Sequence, residues 1–180
     1  MSGSPVLETE RLILRVPQRS DFEAWVALHA DAEVMRFLGG VQGPELTWRS
    51  VCAMTGAWTI EGFSMFSIIE KSTGNWIGRL GPWRPHGWPG TEIGWALTRS
   101  AWGNGYATEG AAAAMDYAVD QLGWTEIIHT ILPENEASIR VAERLGSRYL
   151  RQAPTPPPFE GMLWDVYGQS ADEWRNRRSS

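Results

Sequence analysis

The amino-acid sequence predicts an α+β fold, with a mixed, mainly antiparallel central sheet flanked by helices and one βαβ unit at its centre. Two observations predict it. Apolar residues alternate with polar ones in several short runs, as in strands, and recur at helical spacing in the segments between them. In addition, the strand-like TEIGWALT leads through SAWGNGYATEG into an alanine-rich helical stretch and then into the apolar TEIIHTIL. Strand, helix and strand in that order favour a parallel pair within the sheet.

The elements before residue 100 are predicted from their periodicity and their turn residues. Strands are expected at RLILRV, FSMFSIIE and WIGRLGPW, and helices at PQRSDFEAWVALHADAEVMRFL and PELTWRSVCAMTGAWTI. Ser20 and Glu23 have the spacing of a capping box that would open the first helix. Gly74 and Asn75 are turn residues between the second and third strands, so these strands should form a hairpin.

The elements after residue 100 begin with a helix, expected from about Tyr106 to Leu122 and closed by Gly123. A buried strand, a helix that ends at Gly146 and a final pair of strands follow, at TEIIHTIL, ENEASIRVAERLG, SRYL and FEGMLWDVYG. The segment QAPTPPPF is rich in proline, which cannot donate a hydrogen bond to a strand ladder. It therefore predicts a loop between the last two strands.

Composition and charge limit the classes of function. The chain has 180 residues, of which 43% are hydrophobic, enough for the core of one globular domain. Its net charge of -5 argues against nucleic acid, and no apolar run is long enough to cross a bilayer. We therefore expect no nucleic-acid or membrane partner and a cytoplasmic location. Cys52, the single cysteine, is expected to be a buried structural thiol.

The stretch SAWGNGYATEG offers backbone groups rather than reactive side chains. Gly103 and Gly105 can adopt positive φ and let a ligand approach the main chain. The first N–H groups of the following helix lack partners within the helix and lie at the positive end of its dipole, which suits a phosphate. A nucleoside-triphosphate loop would need a lysine here, and Thr108 stands where a dinucleotide loop needs its third glycine. A plain strand-to-helix turn is the alternative.

Several segments together resemble the GNAT superfamily of N-acetyltransferases. WGNGYATEG resembles the coenzyme A pyrophosphate loop of that family, Gln/Arg-x-x-Gly-x-Gly/Ala. Gly105 and Ala107 fill its last two fixed positions, and Trp102 replaces the usual Gln or Arg. NEASIRVAERLG resembles the motif on the family's next helix. The segments LETERLILR and FEGMLWDVYG resemble the outer strands of the Rim-type subgroup, the ribosomal-protein N-terminal acetyltransferases.

The resemblance implies a single acetyltransferase domain over residues 1–180, with acetyl-CoA as co-substrate and no metal. Residues 10–99 would form the acceptor side, 100–150 the acetyl-CoA core and 151–180 a C-terminal strand and tail. The strand WALT would splay from its neighbour, so that its backbone pairs with the pantetheine arm. Asn135 would hold the pantetheine, cap its own helix, or do both. The implied acetyl-CoA-binding residues are Trp95, Ala96, Leu97, Gly103, Asn104, Gly105, Tyr106, Ala107, Thr108 and Asn135.

Acetyl transfer to an amine requires a base for the amine and a proton for the leaving thiolate. Many family members carry a tyrosine for the second task at the position of Ala142, so we assign this proton to Ser138 or to water. Thr130 stands where some relatives carry a glutamate base. Glu92 is the favoured replacement and His129 the second choice, while a solvated strand glutamate is the alternative reading of Glu92.

The acceptor is expected to be an amine. An α-amino group with a pKa near 8 requires about 1.4 kcal/mol to neutralise at pH 7, and a lysine about 4.6 kcal/mol. This difference favours a low-pKa amine such as a protein N-terminus. The acceptor cleft should lie between the first helices and the hairpins. Its aromatic wall is predicted from Trp25, His29, Phe37, Trp83 and Trp88.

Three functional hypotheses follow. The first is an acetyl-CoA-dependent N-acetyltransferase that acts on a small-molecule or peptide amine in a ternary complex. The second is a non-catalytic CoA-binding or regulatory module, because the family's usual tyrosine and glutamate are replaced. The third is a scaffold in which the glycine loop is only structural. A monomer or a homodimer is expected.

Overall fold

The computed structural model describes residues 5–156 and 161–179. Its centre is one sheet of eight strands. The strands are β1 (Val6–Glu8), β2 (Leu12–Arg15), β3 (Phe66–Glu70), β4 (Trp76–Trp83), β5 (Glu92–Leu97), β6 (Glu126–Ile131), β7 (Arg148–Pro154) and β8 (Leu163–Ser170).

Alpha-helices flank the sheet on both faces. They are α1 (Phe22–Ala30), α2 (Ala32–Met35), α3 (Pro44–Ile60), α4 (Tyr106–Asp120), α5 (Glu136–Arg144) and α6 (Ala171–Arg178). None of the helices in the described residues combines the length and the hydropathy needed to cross a bilayer.

The strand order is β1-β2-β3-β4-β5-β6-β8-β7. Neighbouring strands are antiparallel, apart from β5 and β6, which run parallel and are joined by α4. The predicted α+β fold with a central βαβ unit is thus confirmed. The predicted hairpin is also present, as β3 and β4, with Gly74 at a φ of 72° in its turn.

The two faces of the sheet carry separate cores. On one face, Leu80, Ile93 and Leu97 pack against the alanine-rich side of α4. On the other face, Trp25 from α1 packs with Met65 and with apolar residues of α3. Successive strand residues point to opposite faces. Glu92 therefore lies on the α1 and α3 face, next to Ile93 on the α4 face.

Four local predictions are corrected by the structure. Ser20 and Glu23 form no capping box, because Asp21 and Gln18 instead cap a short 3-10 turn that precedes α1. Cys52 is exposed on α3 and is not buried. The predicted helix 17–38 divides at Asp31, which follows α1 and caps α2. Part of the predicted proline-rich loop, residues 152–159, is strand, because β7 extends to Pro154; residues 157–159 of that segment lie outside the described part of the chain.

The C-terminal tail contains a helix that the sequence reading missed. Ser170 caps α6 by accepting a hydrogen bond from the Glu173 N–H, and the Glu173 carboxylate accepts one from the Ser170 N–H. Trp174 is buried in the α4 core and donates to Asp116 on α4. The Ser-x-x-Glu spacing was a readable capping-box signal for this helix.

Candidate active site

The glycine loop connects β5 to α4 as a compact turn. A short 3-10 turn at residues 99–101 follows the strand, and α4 begins at Tyr106. Gly103 and Gly105 have φ angles of 76° and 79°, in the left-handed region that favours glycine. Gly105 is the N-cap of α4, so the first N–H groups of the helix are free to bind an anion at the positive end of its dipole.

Trp102 fastens this loop to the end of β5. Its indole Nε1 donates a hydrogen bond to the Leu97 carbonyl at 2.9 Å, while about half of the residue remains exposed. Trp102 occupies the position at which the resembled family usually has Gln or Arg. The indole thus stabilises the loop through the strand, a role that the sequence alone did not reveal.

The N-terminal strands brace the first turn of α4 from the other side. The Arg11 guanidinium and backbone N–H both bind the Glu109 carboxylate, at 2.7 and 2.9 Å for Nε and N. The Thr9 hydroxyl donates to the same carboxylate at 2.6 Å. Arg11 also donates to the Asn104 carbonyl at 2.9 Å. These contacts join residues far apart in sequence, so no sequence signal could have identified them.

Strands β5 and β6 separate immediately after they meet. Their register has one paired position, Glu92 with Ile128. Pro82 of β4 is paired with Ile93 of β5 and has no N–H to donate. This pair is therefore of the kind that exchanges no hydrogen bonds, and the backbone N–H and carbonyl of Ile93 point away from β4. Trp95, two residues on, has the same orientation. Its backbone N–H and carbonyl therefore face the gap between β5 and β6.

The predicted backbone roles of the WALT strand differ from residue to residue. Trp95 directs its backbone into the gap. Leu97 does so too, but its carbonyl already accepts the Trp102 indole N–H. Ala96 lies opposite Arg79 in the alternate kind of pair, so its backbone faces β4 rather than the gap. Trp95 is thus the residue of the three that offers both backbone groups.

A cavity of about 480 Å³ joins this gap to the glycine loop. Of the predicted acetyl-CoA residues, Asn104 is outside its lining; the Asn104 side chain instead donates to the Trp102 carbonyl at 3.1 Å. Phe37, predicted for the acceptor wall, lines this cavity. The predicted residues in the lining are Trp95, Ala96, Leu97, Gly103, Gly105, Tyr106, Ala107, Thr108, Asn135 and Ser138.

Arginines make one side of the cavity positive. Arg140 and Arg144 lie one helical turn apart on α5, and Arg36 follows α2. Arg140 shares its charge with Glu136 through an ion pair at 3.2 Å. The sequence reading missed these residues, although the spacing of Arg140 and Arg144 on one helix face was visible. Together with the helix N-terminus, these cations suit an anionic ligand.

Asn135 and Ser138 meet the cavity at the start of α5. The Asn135 side chain caps the helix by accepting from the Ser138 N–H at 3.2 Å. The Ser138 hydroxyl oxygen accepts a hydrogen bond from the Trp95 indole at 3.2 Å. In the described residues no hydrogen bond uses the Ser138 hydroxyl hydrogen, so the hydroxyl can also donate into the cavity that it lines. Ala142, one turn further on, is fully buried.

Glu92 is a buried carboxylate at the point where β5 and β6 part. It is 6% exposed and accepts hydrogen bonds from the Trp88 indole and from the Thr130 N–H and hydroxyl, the last two at 3.1 and 3.0 Å. Burial raises the pKa of Glu92 to about 7, against the opposing effect of these hydrogen bonds. A carboxylate with this pKa can exchange a proton at neutral pH.

The predicted acceptor wall is only partly assembled. Trp25 and His29 are buried in the core between α1 and the sheet, at 0% and 2% exposure, and so cannot line a cleft. Trp83 and Trp88 do pack together, with ring centroids 6.4 Å apart. Trp164 of β8 joins them at 4.8 Å from Trp88, a contact that sequence reading missed. This aromatic cluster lies beside Glu92.

Comparison with known proteins agrees with this geometry. Residues 11–148 match the family described as Acetyltransferase (GNAT) domain. The chain belongs to this family. An acetyltransferase from Agrobacterium tumefaciens str. C58 has a similar structure, with a TM-score of 0.80 and 31% identity over 94% of this chain and 96% of that one.

Relatives in sequence extend the similarity over most of the GNAT domain. The uncharacterized protein YkkB of Bacillus subtilis (strain 168) is 32% identical over 83% of this chain and 88% of its own. The uncharacterized N-acetyltransferase p20 of Bacillus licheniformis is 30% identical over 89% of this chain and 92% of its own.

The contacts of His129 disfavour it as the base of this GNAT domain. Its Nδ1 lies 2.7 Å from the Ile93 carbonyl and its Nε2 lies 3.0 Å from the Ser147 hydroxyl. Burial lowers the pKa of His129 to about 4, so the ring is neutral at pH 7. It lies on the α4 face, opposite Glu92. In the described residues, no group of three or more His, Cys, Asp or Glu side chains is placed to hold a metal.

Proposed function

We propose that this GNAT domain transfers an acetyl group from acetyl-CoA to a primary amine by direct attack in a ternary complex. The observation that carries the proposal is the continuity of the cavity. It runs from the open N-terminus of α4 to the exposed backbone edge of β5, and Glu92 lies where that edge begins. One end suits a phosphate, and the other suits an extended amide chain.

The cavity residues fit the parts of acetyl-CoA. The N–H groups at the start of α4, with Arg140 and Arg144 nearby, would hold the pyrophosphate. The backbone of Trp95 would pair with the pantetheine amides, as an added strand pairs with a sheet edge. When bound, acetyl-CoA supplies an activated thioester carbonyl. The protein's own contribution is to position it and to manage two protons.

Glu92 and Ser138 would manage these protons. Glu92 would take a proton from the ammonium form of the acceptor, directly or through a water, because its pKa lies near neutrality. Ser138 would donate a proton to the departing thiolate sulfur, since its hydroxyl lines the cavity and is oriented there by the Trp95 indole. The amine nitrogen forms the new bond to the acetyl carbon as the carbon–sulfur bond breaks. The second proton that this nitrogen loses would return to the Ser138 oxygen, directly or through a water, so that the products are the amide and the CoA thiol.

We infer that the acceptor is an amine of low pKa, presented beside the cluster of Trp83, Trp88 and Trp164. A carboxylate with a pKa near 7 can deprotonate an α-amino group at modest free-energy cost, about 1.4 kcal/mol at pH 7, against about 4.6 kcal/mol for a lysine. A protein N-terminus, as in the Rim-type subgroup, meets this condition, and so does a small-molecule amine. The cytoplasm is the compartment in which we expect the reaction.

Thiol release measured with a panel of amines tests the function. The panel would contain peptides with free N-termini, their N-acetylated forms, polyamines and lysine analogues. We expect release with at least one free amine and none with the blocked peptides. Calorimetry with CoA provides the companion measurement. Tight CoA binding without release for any amine would favour a non-catalytic CoA-binding module, and absence of binding would favour a structural loop.

A further inference from the structure

A buried arginine lies on the same face of the sheet as Glu92. Arg79 of β4 is 9% exposed, and its guanidinium lies 5.5 Å from the centroid of the Trp25 ring. Its Nε has no hydrogen-bond partner, and Arg79 forms no ion pair in the described residues. A buried cation without a paired anion is strongly disfavoured, so its presence calls for a physical reason.

The sheet leaves a path from Arg79 to Glu92. Gly81 and Gly94 form the cross-strand pair between them, and neither covers the sheet with a side chain. A Cβ built on Gly94 would lie 2.9 Å from the Met65 Cε and 3.5 Å from the Glu92 Oε1. The Arg79 Nη1 lies 2.8 Å from the Met65 Sδ. The Met65 thioether therefore lies between the guanidinium and the carboxylate.

No other described charge competes for Glu92 on this face. His29 of α1 is neutral at pH 7, because burial and then Arg79 lower its pKa to about 4. Arg151 of β7 is engaged with the Pro89 carbonyl at 3.0 Å. Trp88 and Thr130 contribute neutral hydrogen bonds, and His129 of β6 lies on the opposite face.

We propose that Arg79 is a positioning residue that acts through Glu92: across the Met65 thioether, it stabilises the Glu92 carboxylate as an anion without forming an ion pair with it. The inference rests on the proposed function, in which Glu92 is the base. It adds a residue that touches neither substrate nor the reacting atoms.

Met65 separates the Arg79 guanidinium from the Glu92 carboxylate, and this separation limits how strongly the cation stabilises the anion. Burial alone would keep Glu92 protonated at neutral pH, and a protonated carboxyl cannot accept a proton. A direct ion pair would have the reverse effect and make the carboxylate too weak a base. A cation that is separated from Glu92 by one side chain holds the basicity of the carboxylate between these two extremes. In agreement, Glu92 raises the pKa of Arg79 against the larger lowering by burial, which brings it to about 10.

Titration of Glu92 in three variants tests this assignment. Protein carrying carbon-13 at the glutamate side-chain carboxyl is followed by NMR against pH, and Glu92→Gln identifies the resonance. Arg79→Met should raise the Glu92 midpoint by about one pH unit, since an opposite charge nearby shifts a carboxyl by that order. Arg79→Lys should restore much of the shift. Met65→Ala should lower the midpoint, because the guanidinium can then approach the carboxylate.

The rate profile supplies the second readout. The acidic limb of thiol release should move in the same direction as the NMR midpoint in each variant. A structural role for Arg79 would lower the rate at every pH and leave both midpoints in place, and that result overturns the inference. If Arg79→Met fails to fold, Arg79→Lys and Met65→Ala still decide it. Absence of thiol release from the unaltered chain would overturn the proposed function, whereas the NMR midpoints would still test the coupling.

Discussion

In the proposed mechanism Glu92 and Ser138 have opposite tasks, because one would accept a proton at neutral pH and the other would donate one. Glu92 is buried, which raises its pKa to about 7, and donors from Trp88 and Thr130 fix its orientation. The Ser138 oxygen accepts the Trp95 indole N–H, which orients the hydroxyl at the cavity wall. In both cases the neighbouring side chain decides what the residue can do.

Glu92→Gln should lower the rate at neutral pH and recover much of it at high pH. The wild-type base is deprotonated above its pKa of about 7, so the wild-type rate should rise through neutrality. Glutamine cannot take a proton, so the variant depends on amine that is already neutral in solution, and the fraction of neutral amine increases as the pH approaches the pKa of the amine. Thiol release from about pH 6 to 10 measures this, with Glu126→Gln, an exposed glutamate at the start of β6, as the control. A deficit equal at every pH contradicts the assignment.

Ser138→Ala should reduce kcat more than it changes the KM for acetyl-CoA. The hydroxyl hydrogen matters as charge develops on the leaving sulfur, so its loss affects the transition state more than the bound state. We expect a decrease of at least tenfold, the size of a modest acid–base contribution. Ser50→Ala, on the exposed side of α3, is the matched control. An unchanged kcat would assign the proton to water.

At the scale of elements, turn residues and capping residues predict correctly the helices and strands whose ends depend on neighbouring residues alone. The β3–β4 hairpin followed from its turn residues. The capping box of Ser170 and Glu173 likewise marks the start of α6 in the sequence, although this helix was not predicted. The box expected at Ser20 failed because Asp21 pairs with Arg15 and accepts a hydrogen bond from the Ser67 hydroxyl of β3, 46 residues away. A contact between distant elements thus overrode a local preference, and sequence spacing could not show it.

Gly105→Val should weaken acetyl-CoA binding at least tenfold by distorting the N-terminus of α4. Gly105 has a φ of 79°, a conformation that a β-branched residue avoids, while the nearest atom to an added Cβ is the Arg11 Nη2 at 3.5 Å. Backbone strain, rather than a clash, would therefore turn the N–H groups away. Gly62→Val is a matched control, with the same φ of 79° and open space around it, outside the cavity lining. Calorimetry showing equal affinity in a folded Gly105→Val would remove the loop from the site.

At the scale of the whole molecule, the candidate site is assembled from segments that only the fold brings together. The glycine loop and the residues of β5 were predictable because they are contiguous in sequence. The aromatic wall was not, since the burial of Trp25 depends on how α1 packs, and the contact of Trp88 with Trp164 depends on β8. Arg79 also gave no sequence signal, because its relation to Glu92 passes across two strands.

The same long-range assembly predicts how stability depends on pH. Asp21 is 4% exposed and binds Arg15 of β2, the Gln18 N–H and the Ser67 hydroxyl of β3. Burial alone would raise the pKa of Asp21, but these hydrogen bonds together hold it below its ordinary value of 3.8. The stabilisation is thus present above about pH 4 and is lost as pH falls through the lowered pKa.

Asp21→Asn should reduce the free energy of unfolding by about 2 kcal/mol at pH 7, because hydrogen bonds to a charged group contribute on that order. Urea unfolding measures it, and the difference from wild type should shrink as the pH falls through the lowered pKa of Asp21, because the wild-type side chain then becomes neutral as well. Asp172→Asn, exposed on α6, should change little at either pH. A difference that stays constant as the pH falls would show that the Asp21 charge does not stabilise the fold.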